Sequence, residues 1–163
     1  MTARRMPFWK PILVAAVAAV AVLMLGGLMT DLSPWYYALS KPDWQPPGWL
    51  FAPVWTAIFA LIATANGYAW IKARSPATRR AILAINVVNA ILNVGWSLLF
   101  FRLQRPDWAL VEVVPFWLSI LAMVIVLGRC ARISGWLLTP YLLWVAFAGY
   151  LNWVIVQLNA PFG

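Results

Sequence analysis

Five apolar runs dictate what this chain can become. They cover residues 12–30, 53–71, 81–101, 108–128 and 136–158, so each is 19 to 23 residues long. At about 1.5 Å per helical residue, such a run approaches the ~30 Å hydrocarbon thickness of a bilayer. Backbone amides in hydrocarbon must be satisfied within their own segment, which leaves the helix as the form for isolated apolar runs. The connections after the first are six to nine residues long, so successive helices run antiparallel. The expected fold is therefore an all-α integral membrane protein, a single five-helix transmembrane bundle over residues 1–163. Composition agrees: 64% of residues are apolar and 10% are charged, against about a quarter charged in soluble domains.

The first run follows a basic arm, MTARRMPFWKP. A signal peptide has a similar start but an apolar core of only roughly 7–15 residues, so a retained first helix is expected. Small residues Ala15, Ala18, Ala19 and Gly26 offer it a packing face. The net charge of +8 is scattered at the ends of the runs, a topology signal rather than a nucleic-acid footprint. Arg4, Arg5, Lys10, Lys72, Arg74, Arg79, Arg80, Arg129 and Arg132 fall on one side, and Lys41, Arg102 and Arg105 on the other. That bias predicts a cytoplasmic N-terminus and a C-terminus outside. Five apolar helices favour an inner membrane, since outer-membrane proteins are usually barrels.

Chemistry is narrowed by absence. There is no histidine and one cysteine, Cys130. An intrachain disulfide, a Cys/His metal cluster and His-dependent triads are excluded. The commonest haem axial ligand is missing too, and no cofactor is expected.

The first connection is unlike the rest. WYYALSKPDWQPPGWLFAPVW, Trp35 to Trp55, holds four tryptophans, two tyrosines and four prolines. Prolines 42, 46, 47 and 53 fix φ and bias the preceding residues away from helix, so a stiff, partly extended loop over 31–52 is expected, with the second helix opening at Pro53. Trp and Tyr suit a surface that meets both lipid and water. Two readings stand: a membrane-interface belt, or a lid over a ring-lined cavity.

Within the spans, Asn86, Asn89, Asn93 and Ser97 fall within about 80° of one another on a helix. They must face the bundle interior, either bonding between helices or lining a cavity. Trp55, Phe59, Ile62 and Asn66 share a face of the second span, and Trp144, Ala148 and Asn152 share one of the fifth. The fourth aligns Trp108, Glu112, Phe116, Ser119 and Met123. Glu112, the one carboxylate inside a span, is either functional or reaches the interface to pair with a loop arginine. Pro115 and Pro140 each remove an intrahelical bond, and kinks are expected there.

WYYALSKPDWQPPGW and the following PVWTAIFALIATA resemble the first loop and second helix of the translocator protein family, also called tryptophan-rich sensory proteins or peripheral-type benzodiazepine receptors. The resemblance continues through NAILNVGWSLLFF (Asn89 to Phe101), DWALVE (Asp107 to Glu112) and PYLLWVAFAGYLN (Pro140 to Asn152). It implies five membrane helices, often in a homodimer, and a pocket covered by the first loop. It also implies binding of porphyrins, including protoporphyrin IX and haem, and of related hydrophobic ligands. By position, Trp55 and Trp144 match the tryptophans linked to porphyrin breakdown, and Asn93 the ligand-contacting amide. Ala148 matches an alanine whose change to threonine alters ligand and sterol behaviour. Trp35, Lys41, Trp44, Trp49, Phe59, Trp96 and Phe147 complete the candidate ligand-binding set, with Lys41 at a porphyrin propionate. One departure concerns sterol: no Lys or Arg follows Tyr150, as the cholesterol consensus requires.

Three functions follow as expectations. The first is a receptor or carrier for porphyrin-type tetrapyrroles, in transport or sensing. The second is a light-dependent enzyme degrading bound protoporphyrin IX, with Trp55 and Trp144 as its catalytic residues. The third is a sterol carrier or membrane scaffold. Porphyrin or another hydrophobic small molecule, membrane lipid and a second copy of the chain are the expected partners, and nucleic acid is not.

Overall fold

The structure, a computed structural model, describes residues 9–162. Arg4 and Arg5, which contribute to the charge bias, lie outside the described residues. Six α-helices occur among the described residues: α1 (Trp9–Met29), α2 (Pro34–Ala38), α3 (Gly48–Lys72), α4 (Pro76–Ser97), α5 (Pro106–Cys130) and α6 (Arg132–Asn159), with a π-helical turn, Leu98–Arg102, continuing α4. No strand is found among the described residues. Five of the helices are long and apolar enough to cross a membrane.

They pack as a ring. α1 lies against α3 and α4, α4 against α5, α5 against α6, and α6 against α3. The sequential pair α3 and α4 touch only weakly, because α1 sits across both. Ala19 and Gly26 are the buried positions of α1, and Ala15 packs against the core. Ala18 is exposed, so it is not part of that face. The approach of α1 to α3 is close: a Cβ on Gly67 would lie 2.2 Å from Cγ1 of Ile12.

The helices outrun the apolar segments that announce them. α3 begins at Gly48 rather than Pro53, after Pro47 in extended conformation. Pro53 therefore lies inside the helix, on an exposed position. α4 begins at Pro76 rather than 81: the Ser75 hydroxyl accepts from the Thr78 N–H at 3.1 Å, and proline occupies the first turn. Ser-Pro is a strong helix-start signal, and it places Arg79 and Arg80 on the helix. The connections shrink to residues 73–75, 103–105 and the single residue Ala131. The expected six to nine residues counted only what is not hydrophobic. Helical geometry persists through polar residues beyond the hydrocarbon.

α5 and α6 form the most extensive contact of the bundle. A Cβ on Gly135 would meet the Val124 carbonyl oxygen at 3.1 Å and the Gly128 Cα at 3.3 Å. Both helices run unbroken through Pro115 and Pro140. The loop between α1 and α3 is extended and turn-like in part, but α2 interrupts it, with Pro34 in its first turn.

Candidate functional site

The asparagine stripe of α4 is the polar spine of the bundle. Asn86 Nδ2 donates to Asn66 Oδ1 of α3 at 2.7 Å. Asn89 Nδ2 donates to the Ser119 hydroxyl of α5 at 2.9 Å. The Tyr141 hydroxyl of α6 donates to Asn89 Oδ1 at 3.1 Å and accepts from Asn93 Nδ2 at 3.2 Å. Of the two readings open for these amides, interhelical bonding is the one the geometry displays. Asn89, Asn93, Ser119 and Tyr141 are all buried. Tyr141 was not singled out from the sequence, because a hydroxyl among apolar residues gives no periodic signal of its partner.

Toward the loop end of the bundle, the spine gives way to rings. Trp55 of α3 packs against Phe59 (5.8 Å between centroids) and edge-on to Tyr141 (6.1 Å). One turn earlier, Phe51 meets Trp144 of α6 at 5.7 Å, and Trp144 meets Phe147 at 5.5 Å. From the loop, Trp44 stacks on Tyr150 at 5.4 Å and 16° and places its edge against Phe147 at 6.0 Å. An apolar groove of about 400 Å³ runs between α3 and α6, with Val54, Ile58, Pro140, Trp144 and Phe147 in its walls. Its size falls in the ordinary range for small-molecule sites, roughly 300–1,000 Å³.

The sequence candidates divide accordingly. Trp144 and Phe147 line the α3–α6 groove, and Trp44 packs on Phe147 at its edge, whereas Trp55 packs on Phe59 and Tyr141 inside the bundle. Ala148 is half-buried on the same helix as Trp144. Trp35 and Trp96 belong to a second aromatic cluster at the end of α4. There Trp96 stacks on Phe100 at 5.2 Å and Trp35 meets Phe100 edge-on at 6.5 Å. The π-turn widens α4 at this cluster, and such turns recur at functional sites. Trp49 is 73% exposed.

Lys41 is placed differently from its expected role at a propionate. Its Nζ donates to the carbonyls of Tyr36 and Leu39 and lies 4.5 Å from the Tyr36 ring centroid. The amine thus ties the loop to itself, and desolvation holds its pKa below the usual lysine range. Glu112 does not reach a loop arginine: Arg105 pairs with Asp107 instead. Both Glu112 carboxyl oxygens are buried without a hydrogen-bond partner. Oε1 lies 3.8 Å from where a Cβ on Gly95 would stand.

Among the described residues no group of His, Cys, Asp and Glu is arranged to hold a metal. The cluster offers flat apolar walls with a few amides and hydroxyls behind them, which suits binding of a planar hydrophobic molecule.

Comparison with known proteins identifies the family. Residues 13–158 match the TspO/MBR family. The tryptophan-rich protein TspO of Chlorobaculum tepidum is 38% identical over 92% of this chain and 98% of its own length. Protein CrtK of Rhodobacter capsulatus is 32% identical over 88% of this chain and 91% of its own. The translocator protein of Sus scrofa is 30% identical over 94% of this chain and 92% of its own. With five bilayer-length helices and a family match over nearly its full span, the chain is an integral membrane protein belonging to the TspO/MBR family.

Proposed function

We propose that this chain is a membrane receptor or carrier for porphyrin-type tetrapyrroles, which it holds between α3 and α6 beneath the first loop. The observation that carries this reading is the run of rings Trp44, Phe147, Trp144 and Phe51 along the α3–α6 groove, two of them in its wall. A porphyrin is a broad π-system, and indole and phenyl faces match it in shape and in polarity. With no histidine in the chain, stacking rather than axial ligation would hold the ring. Titration with protoporphyrin IX in the dark tests the proposal through quenching of tryptophan emission. A wild-type protein that neither quenches nor shifts the porphyrin spectrum refutes it.

The second reading, light-driven breakdown of the bound porphyrin, draws on the Trp144 indole standing in the groove wall. In it the pigment supplies the photochemistry and the protein orients it. Trp55→Phe and Trp144→Phe separate the two readings. A binder loses on the order of 1 kcal/mol of affinity on either change, the scale of an aromatic pair, and wild type bleaches porphyrin no faster than protein-free solution. A degrading enzyme binds nearly normally after either change and stops bleaching under illumination.

A further inference from the structure

The loop whose Trp44 packs on the groove residue Phe147 is fastened to the far end of the chain by two opposed hydrogen bonds. Asn159, the last residue of α6, donates from Nδ2 to the Ser40 carbonyl at 2.8 Å. The Ser40 N–H donates back to Asn159 Oδ1, also at 2.8 Å. The side-chain amide thus pairs with the backbone of Ser40 as one peptide group pairs with another across a ladder. Nδ2 also donates to the Ile155 carbonyl at 2.8 Å, which holds the amide against its own helix.

The position of this clamp gives it leverage. On one side, the Lys41 amine knots residues 36 to 41 into a unit through the Tyr36 and Leu39 carbonyls. On the other, four residues past Ser40, Trp44 lies on Phe147 and Tyr150, and Phe147 lines the α3–α6 groove. Asn159 also forms part of the wall of a separate cleft of about 470 Å³, together with Trp35, Arg105 and Phe162. Ser40 is exposed. Water can therefore compete for both bonds, which makes the pairing strong enough to hold the loop and weak enough to open.

We propose that Asn159 is the latch of the Trp/Pro loop: its amide holds Ser40 while the loop is closed, and its release sets the rate at which ligand enters and leaves the groove. This rests on the reading that the ligand site lies beneath the loop. Asn159 acts as a positioning residue and touches no ligand. Losing it therefore changes rates more than equilibrium, because opening is made easier in both directions.

Two measurements on the full-length protein in micelles test it. Hydrogen exchange of the backbone amides of residues 31–47, without any ligand, reads the latch alone. Stopped-flow quenching by protoporphyrin IX reads the gate. Asn159→Ala removes both bonds and is expected to speed loop exchange roughly tenfold, the scale of two exposed neutral hydrogen bonds. Association and dissociation rates should rise together by a similar factor, with Kd changed less than about threefold. Ser40→Pro removes the partner N–H from the other side and guards against a misfolded Asn159 variant. Leu39 is already extended (φ −60°, ψ 135°), as a residue before proline needs to be. Asn159→Asp adds a readout that a merely structural role would not move. The ionised carboxylate repels the Ser40 carbonyl, so the loop opens at neutral pH. Below about pH 4 the protonated acid can donate and accept as the amide does, and loop exchange should slow again relative to the alanine variant. Unchanged loop exchange in both Asn159→Ala and Ser40→Pro overturns the latch. Faster loop exchange with unaltered ligand rates overturns its role as a gate. Faster loop exchange with no porphyrin signal in wild type overturns the ligand reading, and the gating claim with it.

Discussion

Tyr141→Phe isolates what the buried polar spine is worth. The ring stays, and with it the edge contacts to Trp55 and Phe116, each at 6.1 Å. Only the hydroxyl is lost, and with it the bonds to Asn89 Oδ1 and from Asn93 Nδ2. Interhelical hydrogen bonds in membrane proteins average about 0.6 kcal/mol and reach about 1.7 kcal/mol. Two such bonds amount to roughly 1–3 kcal/mol, the same range as the penalty for leaving one buried amide atom unsatisfied. Asn89 keeps its bond to Ser119, so the α4–α5 contact should survive and the loss should fall on the attachment of α6 to α4. Reversible denaturation in mixed micelles measures the change. A cycle with Asn93→Leu should show a coupling of about 0.5–1 kcal/mol, as expected for bonded neighbours. A Tyr141→Phe variant within about 0.3 kcal/mol of wild type would refute the argument. The amides would then face inward for some reason other than bonding each other through this hydroxyl.

Gly135→Ala should destabilise by about 1–3 kcal/mol, the cost of overpacking a tight contact. The new methyl group would press on backbone atoms at 3.1 and 3.3 Å, and a thermal melt in detergent reads it. Glu112→Gln should leave folding unchanged or stabilise it, because it removes an ionisable group from a site that offers its oxygens no partner while keeping the side chain's shape; a loss of more than about 1 kcal/mol by the same melt would contradict this. Ala148→Thr should alter porphyrin affinity more than stability, with titration and melt compared side by side, since threonine adds volume and a hydroxyl beside the Trp144 face. A reporter fused after Gly163 should read outside the cytoplasm and one at the N-terminus inside, as the basic-residue bias requires. Both reading on the same side would contradict five spans.

Much of this was legible before any coordinates. The number of helices follows from apolar length alone, and the asparagine stripe from a 3.6-residue period, because both are properties of one segment at a time. What could not be read was what one segment meets. Tyr141 as partner to two amides of α4, and Asn159 as partner to Ser40 at a separation of 119 residues, depend on how the ring of helices closes. Lys41 illustrates a different limit. A cation near rings looks like a ligand contact, but carbonyls two and five residues away lay within its reach first. The helix ends were missed for a third reason: hydropathy reports where the hydrocarbon is, while helical geometry continues until a cap or a proline stops it. Ser75–Pro76 carried that signal, and it outranks the apolar count.

The one-residue joint at Ala131 bears on how the molecule is made. Arg129 and Arg132 flank it, and Gly128 and Gly135 bring α5 and α6 together immediately beyond it. No slack exists for one helix to enter the bilayer and wait at a distance for the other. The two must be laid down as a hairpin, paired by contacts that are local in sequence and so quick to form. The earlier helices complete the ring, with α1 lodged against α3 and α4. A few inserted residues at 131 would leave every span intact and still remove the constraint that holds the two helices in register.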